Sequence, residues 1–206
     1  MTKSTVNTKV WRQNSCEFAF LGCNAGNGAD PNPYGTQCNF NGGYVGGRSA
    51  MDHASEGLFN NAPVNEWKRG TVQYVYWASG ARHGGGYAYR LCKVPSGGIS
   101  KITEKCFQDG HLQFHESYNW LYDRPWRKFD SQKWMKRSAT TMSSGTYPSG
   151  SQWRVIDLPY NSFWAFKDMV KIPADLVPGD YVLSFRWDCK RTPQIWSTCA
   201  NIKIVT

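Results

Sequence analysis

The sequence lacks several features that define large classes of proteins. No apolar run approaches the roughly 18 residues that a membrane-spanning helix needs. Charged residues make up only 19% of the chain, below the usual quarter or so. It contains no Gly-x-Ser-x-Gly, Walker or His-Glu-x-x-His motif, so nothing points to the hydrolase, nucleotide or zinc-protease chemistry of those motifs. No persuasive helical pattern of about ten residues or more is present either.

The sequence is rich in aromatic residues, glycine and basic residues. Aromatic residues reach 15%, with 10 Trp, 11 Tyr and 10 Phe, which excludes a disordered chain. The 20 Gly and 10 Pro imply many turns and favour an all-β or loop-rich fold. The net charge is +9, from 24 Lys and Arg against 15 Asp and Glu. A basic, aromatic surface suits nucleic acid, an acidic polymer or a polysaccharide.

The seven cysteines indicate an oxidising compartment. Their spacing predicts two local disulfides, Cys92 with Cys106 and Cys189 with Cys199. Structural zinc is disfavoured, because no tight Cys or His pairs of the usual spacing occur. The chain opens at Met1 without the apolar segment of a signal peptide, which conflicts with an oxidising compartment. Three further cysteines leave one pair and one odd thiol, with the pairing open: Cys16, Cys23 and Cys38.

Alternating apolar residues predict strands rather than helices along most of the second half of the chain. We therefore expect one domain over residues 1–206, an all-β, antiparallel β-sandwich with long disulfide-stapled loops. Residues 1–65 are expected to be loop-rich, and residues 94–115 to form a loop closed by one disulfide. The predicted strands cover 71–77, 87–92, 153–158, 180–187 and a final stretch with Ala200, Ile202 and Ile204.

His83 is the histidine best placed for chemistry. It lies at a predicted turn between two strands and is followed by three glycines, which let a backbone or substrate approach closely. An exposed imidazole on a rigid turn is a good metal ligand, although a turn histidine without a role is the alternative. His111 and His115 are four residues apart, but their strand-like surroundings make them surface histidines in our interpretation.

Residues 116–137 form a basic, aromatic segment that we interpret as an insertion. Trp120, Trp126 and Trp134 are interleaved with six basic residues there. These rings either stack on sugar rings or bases, or pack a small core beneath a loop. The segment is also a candidate interface for an acidic polymer or another protein chain. Nucleic-acid binding rests on charge and this segment alone, and is disfavoured for that reason.

Two segments resemble the lytic polysaccharide monooxygenases of the chitin- and cellulose-active types, also classed as chitin-binding type-four domains. Ala-Arg-His-Gly-Gly-Gly-Tyr-Ala-Tyr-Arg-Leu-Cys at 81–92 resembles the surroundings of that family's second copper histidine. Residues 179–189 and 192–202 resemble its C-terminal motif, and residues 104–108 also match. The resemblance covers 66–110 and 170–206, and it implies an immunoglobulin-like sandwich.

The resemblance implies roles for individual residues. His83 matches the second histidine of a copper site whose other two nitrogen ligands come from an N-terminal histidine. Trp196 stands at the axial position, and Gln194 is implied as an outer donor that steers bound oxygen or peroxide. Substrate binding is expected at Trp120, Trp126 and Tyr87, with ordinary strand packing as the alternative for Tyr87.

Three positions depart from the family pattern. The chain begins at Met1 rather than a histidine, so we expect a signal peptide and a histidine upstream of it. Arg82 and Lys190 add positive charge where the family commonly has Asn and Glu. With that histidine, the implied function is copper-dependent oxidative cleavage of an insoluble chitin- or cellulose-like polysaccharide by a secreted or cell-wall protein. Without it, a non-catalytic glycan-binding or structural protein on the same fold is the alternative.

Overall fold

The computed structural model describes residues 64–79, 84–123, 134–156, 164–188 and 195–206. The described helical elements are a 3-10 turn at Ile99–Lys101 and a short helix, α1, at Glu104–Asp109. The strands are β1 (Val64–Lys68), β2 (Val72–Ser79), β3 (Gly85–Lys93), β4 (Gln113–Phe114), β5 (Tyr118–Asp123), β6 (Met135–Ser138), β7 (Thr141–Met142), β8 (Trp153–Ile156), β9 (Trp164–Lys171), β10 (Gly179–Asp188) and β11 (Ile195–Val205).

The strands form two sheets, which confirms the prediction of an all-β sandwich. The six-stranded sheet has the order β1-β11-β10-β3-β8-β7. The five-stranded sheet has the order β2-β9-β5-β6, with β4 also paired to β9. The pairs are antiparallel as expected, except that β1 runs parallel to β11 at the edge of the six-stranded sheet. Because β1 lies at the edge, all pairs at the centre of this sheet are antiparallel.

The main core lies between the sheets. Strand β10 contributes one face of its alternating pattern, Tyr181, Leu183, Phe185 and Trp187, against Val170 of β9 and other inward residues. These side chains are buried because every second residue of a strand points to the same face of its sheet. Burial of each large apolar side chain contributes about 1.5 to 3 kcal/mol.

The outer face of β10 is buried as well, although alternation of apolar and polar residues predicts that only one face of a strand is buried. Val182 packs against Cys92, Ile102 and Phe107, in a second apolar cluster outside the six-stranded sheet. The confirmed Cys92–Cys106 disulfide ties α1 to β3 and so holds this layer on the sheet. Helix α1 begins after Thr103, whose side chain accepts a hydrogen bond from the Cys106 amide.

Three segments contain strands that the sequence did not predict. The described parts of residues 116–137 include β5 and β6, which belong to the five-stranded sheet. Strand β9 was not predicted, and β1 overlaps the end of the expected loop-rich region. Within the described ranges, no helix has the length and apolar character that crossing a membrane requires.

Candidate active site at the loop end of the sandwich

One end of the sandwich, which we call the loop end, collects four chain connections. Strands β2, β5, β8 and β10 finish there, and β3, β6, β9 and β11 begin there. The residues between these strand ends, 80–83, 124–133, 157–163 and 189–194, lie outside the described residues. Predicted site residues His83, Trp126 and Gln194 belong to three of these connections. All three are therefore flanked in the chain by described strand ends that meet at this end of the fold.

Trp187 fixes the first residues of β3, directly after His83 in the chain. Its indole Nε1 donates a hydrogen bond of 2.7 Å to the carbonyl oxygen of Gly84. Gly84 and Gly85 have φ values of 60° and 99°, where a side chain would strain the backbone. Glycine at these positions thus allows the backbone to turn into β3, and the Trp187 indole holds that entry in place.

An aromatic cluster lies beneath the loop end and joins the two sheets. The Trp77 ring stacks on Phe166, with centroids 4.5 Å apart and an interplanar angle of 6°. It also contacts Phe185 at 4.7 Å and Tyr87 at 4.9 Å on the facing sheet. Large rings with few rotatable bonds give the strand ends a rigid base.

Tyr87 belongs to a buried polar network, which corrects its expected role in substrate binding. Tyr87 is 0% exposed, and its hydroxyl donates to Asp168 Oδ2 at 2.9 Å. The Tyr89 hydroxyl donates to the same oxygen at 3.1 Å, and Asn119 Nδ2 donates to the Tyr87 hydroxyl at 3.3 Å. Arg154 completes the network, with Nε 3.7 Å from Asp168 Oδ1. A side chain so enclosed cannot touch a polymer.

Burial determines the ionisation of this network. Desolvation raises the pKa of Asp168 from 3.8 to about 6, and the Arg154 charge and three hydrogen bonds only partly offset it. Burial, followed by the Asp168 charge, raises the pKa of Tyr87 and Tyr89 well above 10.0. Arg154 is held by backbone carbonyls as well, including that of Ala139 at 3.1 Å. The network joins β3, β5, β8 and β9 across the core.

A second buried polar cluster lies on the outer face of the six-stranded sheet. Arg186 donates to both carboxylate oxygens of Asp188, at 2.7 and 3.3 Å. Arg90 donates to the Ser184 hydroxyl at 2.9 Å. Burial, then the charges of Arg90 and Arg186, lowers the pKa of His111 well below 6.5. His111 is thus a neutral histidine beside two arginines rather than the expected surface histidine.

The remaining predicted site residues are two tryptophans and the cysteines. Trp196 pairs with Trp187 at the loop end through the backbones of β11 and β10. Trp120 lies on β5, at the outer face of the five-stranded sheet. Cys199 is disulfide-bonded, as predicted, while its expected partner Cys189 lies outside the described residues. Residues Cys16, Cys23 and Cys38 also lie outside them.

Sequence reasoning missed Asp168 and Arg154, the charged pair of the core network. The only available signal was an acid at an inward position of an apolar stretch, between Phe166 and Val170. Nothing in the sequence showed that two tyrosines of a distant strand would meet that carboxylate. Nor did any motif indicate that the Trp187 indole would donate a hydrogen bond to Gly84.

The described residues do not by themselves fit a copper ion. No group of three or more His, Cys, Asp or Glu side chains able to hold a metal occurs among them. His111 faces two arginines, whose charge disfavours a bound cation. His115 is exposed and lies 3.4 Å from a Glu116 oxygen, without a third donor. The predicted ligand His83 lies outside the described residues.

Comparison with known proteins agrees with the resemblance seen in the sequence. AA13 family lytic polysaccharide monooxygenase A from Pyricularia oryzae is 28% identical over 187 residues, 76% of this chain and 47% of that protein. The chain thus spans about half the length of the curated relative that it matches. No family model matches the chain. The chain is therefore similar in sequence to a lytic polysaccharide monooxygenase.

Solved structures of the same kind show weaker likenesses. A lytic polysaccharide monooxygenase AA15 from Thermobia domestica is 15% identical, with 68% of this chain and 62% of that chain covered and a TM-score of 0.41. A cellulose-active polysaccharide monooxygenase from M. thermophila is 21% identical, with 70% and 55% covered and a TM-score of 0.34. At these TM-scores, the likeness does not by itself establish a shared fold.

Proposed function

We propose that this chain carries out copper-dependent oxidative cleavage of an insoluble polysaccharide, as a secreted or cell-wall enzyme. The observation that carries the proposal is the similarity to the Pyricularia oryzae monooxygenase over 76% of the chain. The loop end adds support, because the connections that bear His83 and Gln194 meet strand ends there. Copper, when bound, would supply the one-electron and oxygen chemistry that protein side chains lack.

The described residues have a supporting role in this proposal. Trp187 holds Gly84 and so orients the backbone that leads into His83. The cluster around Trp77 keeps the two sheets in register at the loop end. Gln194 would then act as an outer hydrogen-bond donor, and Trp196 would stand beside the metal. Trp126 would contact the polymer from the connection between β5 and β6.

Copper titration followed by an activity assay tests the proposal. Protein from its native source, which carries its own N-terminus, would be titrated with Cu(II) and followed by calorimetry and electron paramagnetic resonance. The same protein would then be incubated with chitin or cellulose, a reductant and oxygen, and products would be identified by mass spectrometry. We expect one tightly bound copper and oxidised oligosaccharides from one of the two polymers.

Matched histidine variants make this experiment specific. His83→Ala should abolish copper binding and oxidation, whereas His115→Ala, at an exposed described position, should leave both intact. Native protein that binds a polysaccharide but neither binds copper nor yields oxidised products would overturn the proposal. That outcome would favour the non-catalytic glycan-binding function on the same fold.

A further inference from the structure

The outer face of the five-stranded sheet carries a row of alternating rings and ammonium groups. Tyr76 of β2 pairs with Lys167 of β9, Lys167 pairs with Trp120 of β5, and Trp120 pairs with Lys136 of β6. Directly paired residues share a face of the sheet, so these four side chains point the same way. Neighbouring strands are about 4.8 Å apart, and the row therefore extends about 14 Å across the sheet.

Further aromatic residues widen this row into a surface, which we call the aromatic–lysine face. Tyr74 and Tyr76 are 51% and 60% exposed, far more than rings that serve a core. Tyr74 contacts Trp120 edge-on at 5.9 Å, and Tyr76 contacts Trp134 at 6.0 Å. The face consists of Tyr74, Tyr76, Tyr118, Trp120, Trp134, Lys136 and Lys167.

Rings rather than carboxylates hold the two lysines of this face. Lys136 Nζ lies 3.6 Å from the centroid of the Tyr118 ring. Lys167 Nζ lies 4.3 Å from Trp120 and 5.3 Å from Tyr74. Within the described ranges, neither lysine has an acidic partner. A ring attracts the ammonium but does not neutralise it, so the face keeps its positive charge.

The same contacts discriminate between two kinds of anionic polymer. Base stacking, as in single-stranded nucleic-acid binding, needs open ring faces. The ammonium groups occupy faces of Tyr118 and Trp120. The exposed Tyr74 and Tyr76 retain hydroxyl groups, which both donate and accept hydrogen bonds. A hydroxyl-rich polymer with carboxylates matches this combination better than nucleic acid does.

We propose that the aromatic–lysine face binds an anionic, uronic-acid type of polysaccharide. Lys136 and Lys167 contact its carboxylates, and the tyrosines contact its sugar rings and hydroxyls. This surface lies on the outer face of the five-stranded sheet, and its Trp134 and Lys136 stand where β6 begins at the loop end. It gives the chain a way to attach to an acidic glycan without using the residues proposed to bind copper.

Binding of polygalacturonate, measured by calorimetry at several NaCl concentrations, tests the proposal. We expect Lys136→Gln/Lys167→Gln to weaken binding at least tenfold and Tyr74→Ser/Tyr76→Ser to weaken it at least fivefold. Lys136→Arg/Lys167→Arg, which keeps the charge, should stay within threefold of the unmodified protein. Unfolding midpoints of all variants would show that the fold is retained.

A matched charge control separates this face from general attraction to a basic protein. Lys93→Gln/Lys203→Gln removes the same charge from exposed positions on the six-stranded sheet and should change affinity less than twofold. Equal losses in both double variants, or no binding of polygalacturonate at low salt, would overturn the proposal. Tighter binding of a 20-nucleotide oligo-dT, lost in the same face variants, would instead assign the face to nucleic acid.

Binding of polygalacturonate to this face does not depend on the proposed oxidative activity. His83→Ala should leave polygalacturonate binding unchanged, because His83 belongs to the connection at the loop end. A protein that binds copper and oxidises a polymer but ignores polygalacturonate would refute only this inference. A protein that binds polygalacturonate through the face but holds no copper would refute only the proposed function.

Discussion

The buried carboxylate of Asp168 should make the protein less stable as pH rises from about 4 to about 6. Burial raises its pKa from 3.8 to about 6 in the folded state, despite the Arg154 charge and the hydrogen bonds from Tyr87, Tyr89 and Asn119. Between these two pH values the folded protein holds a proton that the unfolded chain has released. Linkage then requires that the free energy of unfolding falls as pH increases through this range.

The size of the effect follows from the pKa difference. Each pH unit is worth about 1.36 kcal/mol, so a rise from 3.8 to about 6 corresponds to a loss of about 3 kcal/mol. The stability contributed by protonated Asp168 is fully present below about pH 4 and is lost above about pH 6. Such a loss is a large share of the 5–15 kcal/mol that typically stabilises a domain.

Urea unfolding at pH 4, 5, 6 and 7 measures this loss against Asp168→Asn. The variant removes the titrating group, so its free energy of unfolding should rise by roughly 2 kcal/mol relative to that of the unmodified protein between pH 4 and pH 7. Asp180→Asn, which changes an exposed carboxylate, should give a profile parallel to that of the unmodified protein. Parallel curves for Asp168→Asn would refute the assignment of a raised pKa, as would a gain of the opposite sign.

Three further outcomes test other parts of the structure. Cys92→Ala/Cys106→Ala removes a disulfide between cysteines 14 residues apart and should lower the free energy of unfolding in urea by about 3 kcal/mol. A loss near zero would contradict the stabilising role of this disulfide. Trp187→Phe leaves the Gly84 carbonyl without its indole donor and should cost about 1 to 3 kcal/mol, measured by thermal unfolding. The pKa of His111 is lowered by burial, so the unmodified protein should lose stability relative to His111→Gln as pH falls below 6.5. Equal acid sensitivity of the two proteins would contradict the last expectation.

The strands best predicted from the sequence are those with strong alternation and clear turn residues at their ends. The predicted ranges 71–77, 87–92 and 180–187 correspond to β2, β3 and β10, with differences of one or two residues at each end. Glycines precede β3, and Pro178 and Gly179 mark the start of β10. These local signals suffice because strand content and turn chemistry are set by neighbouring residues.

The missed features depend on contacts between distant parts of the chain. Strand β9 places Asp168 at an inward position, which a local pattern treats as a break in alternation. The carboxylate is tolerated because the hydroxyls of Tyr87 and Tyr89, about 80 residues away, donate to it. Alternation likewise cannot say which face of β3 is covered, so Tyr87 was assigned to substrate when it belongs to the core.

The positions of chemistry-bearing residues follow a single rule in this fold. Inward positions of the sheets are filled by rings and by one buried charge network, which leaves no room there for a polymer. A large substrate must therefore meet strand ends or an outer sheet face. At the loop end, the hydrogen bond from Trp187 to Gly84 orders the strand end that follows the proposed metal ligand His83, whereas the aromatic–lysine face offers exposed rings and charge. The basic charge and the abundance of aromatic residues thus act in different places, and the paired experiments with His83 and Lys167 variants separate oxidation from attachment.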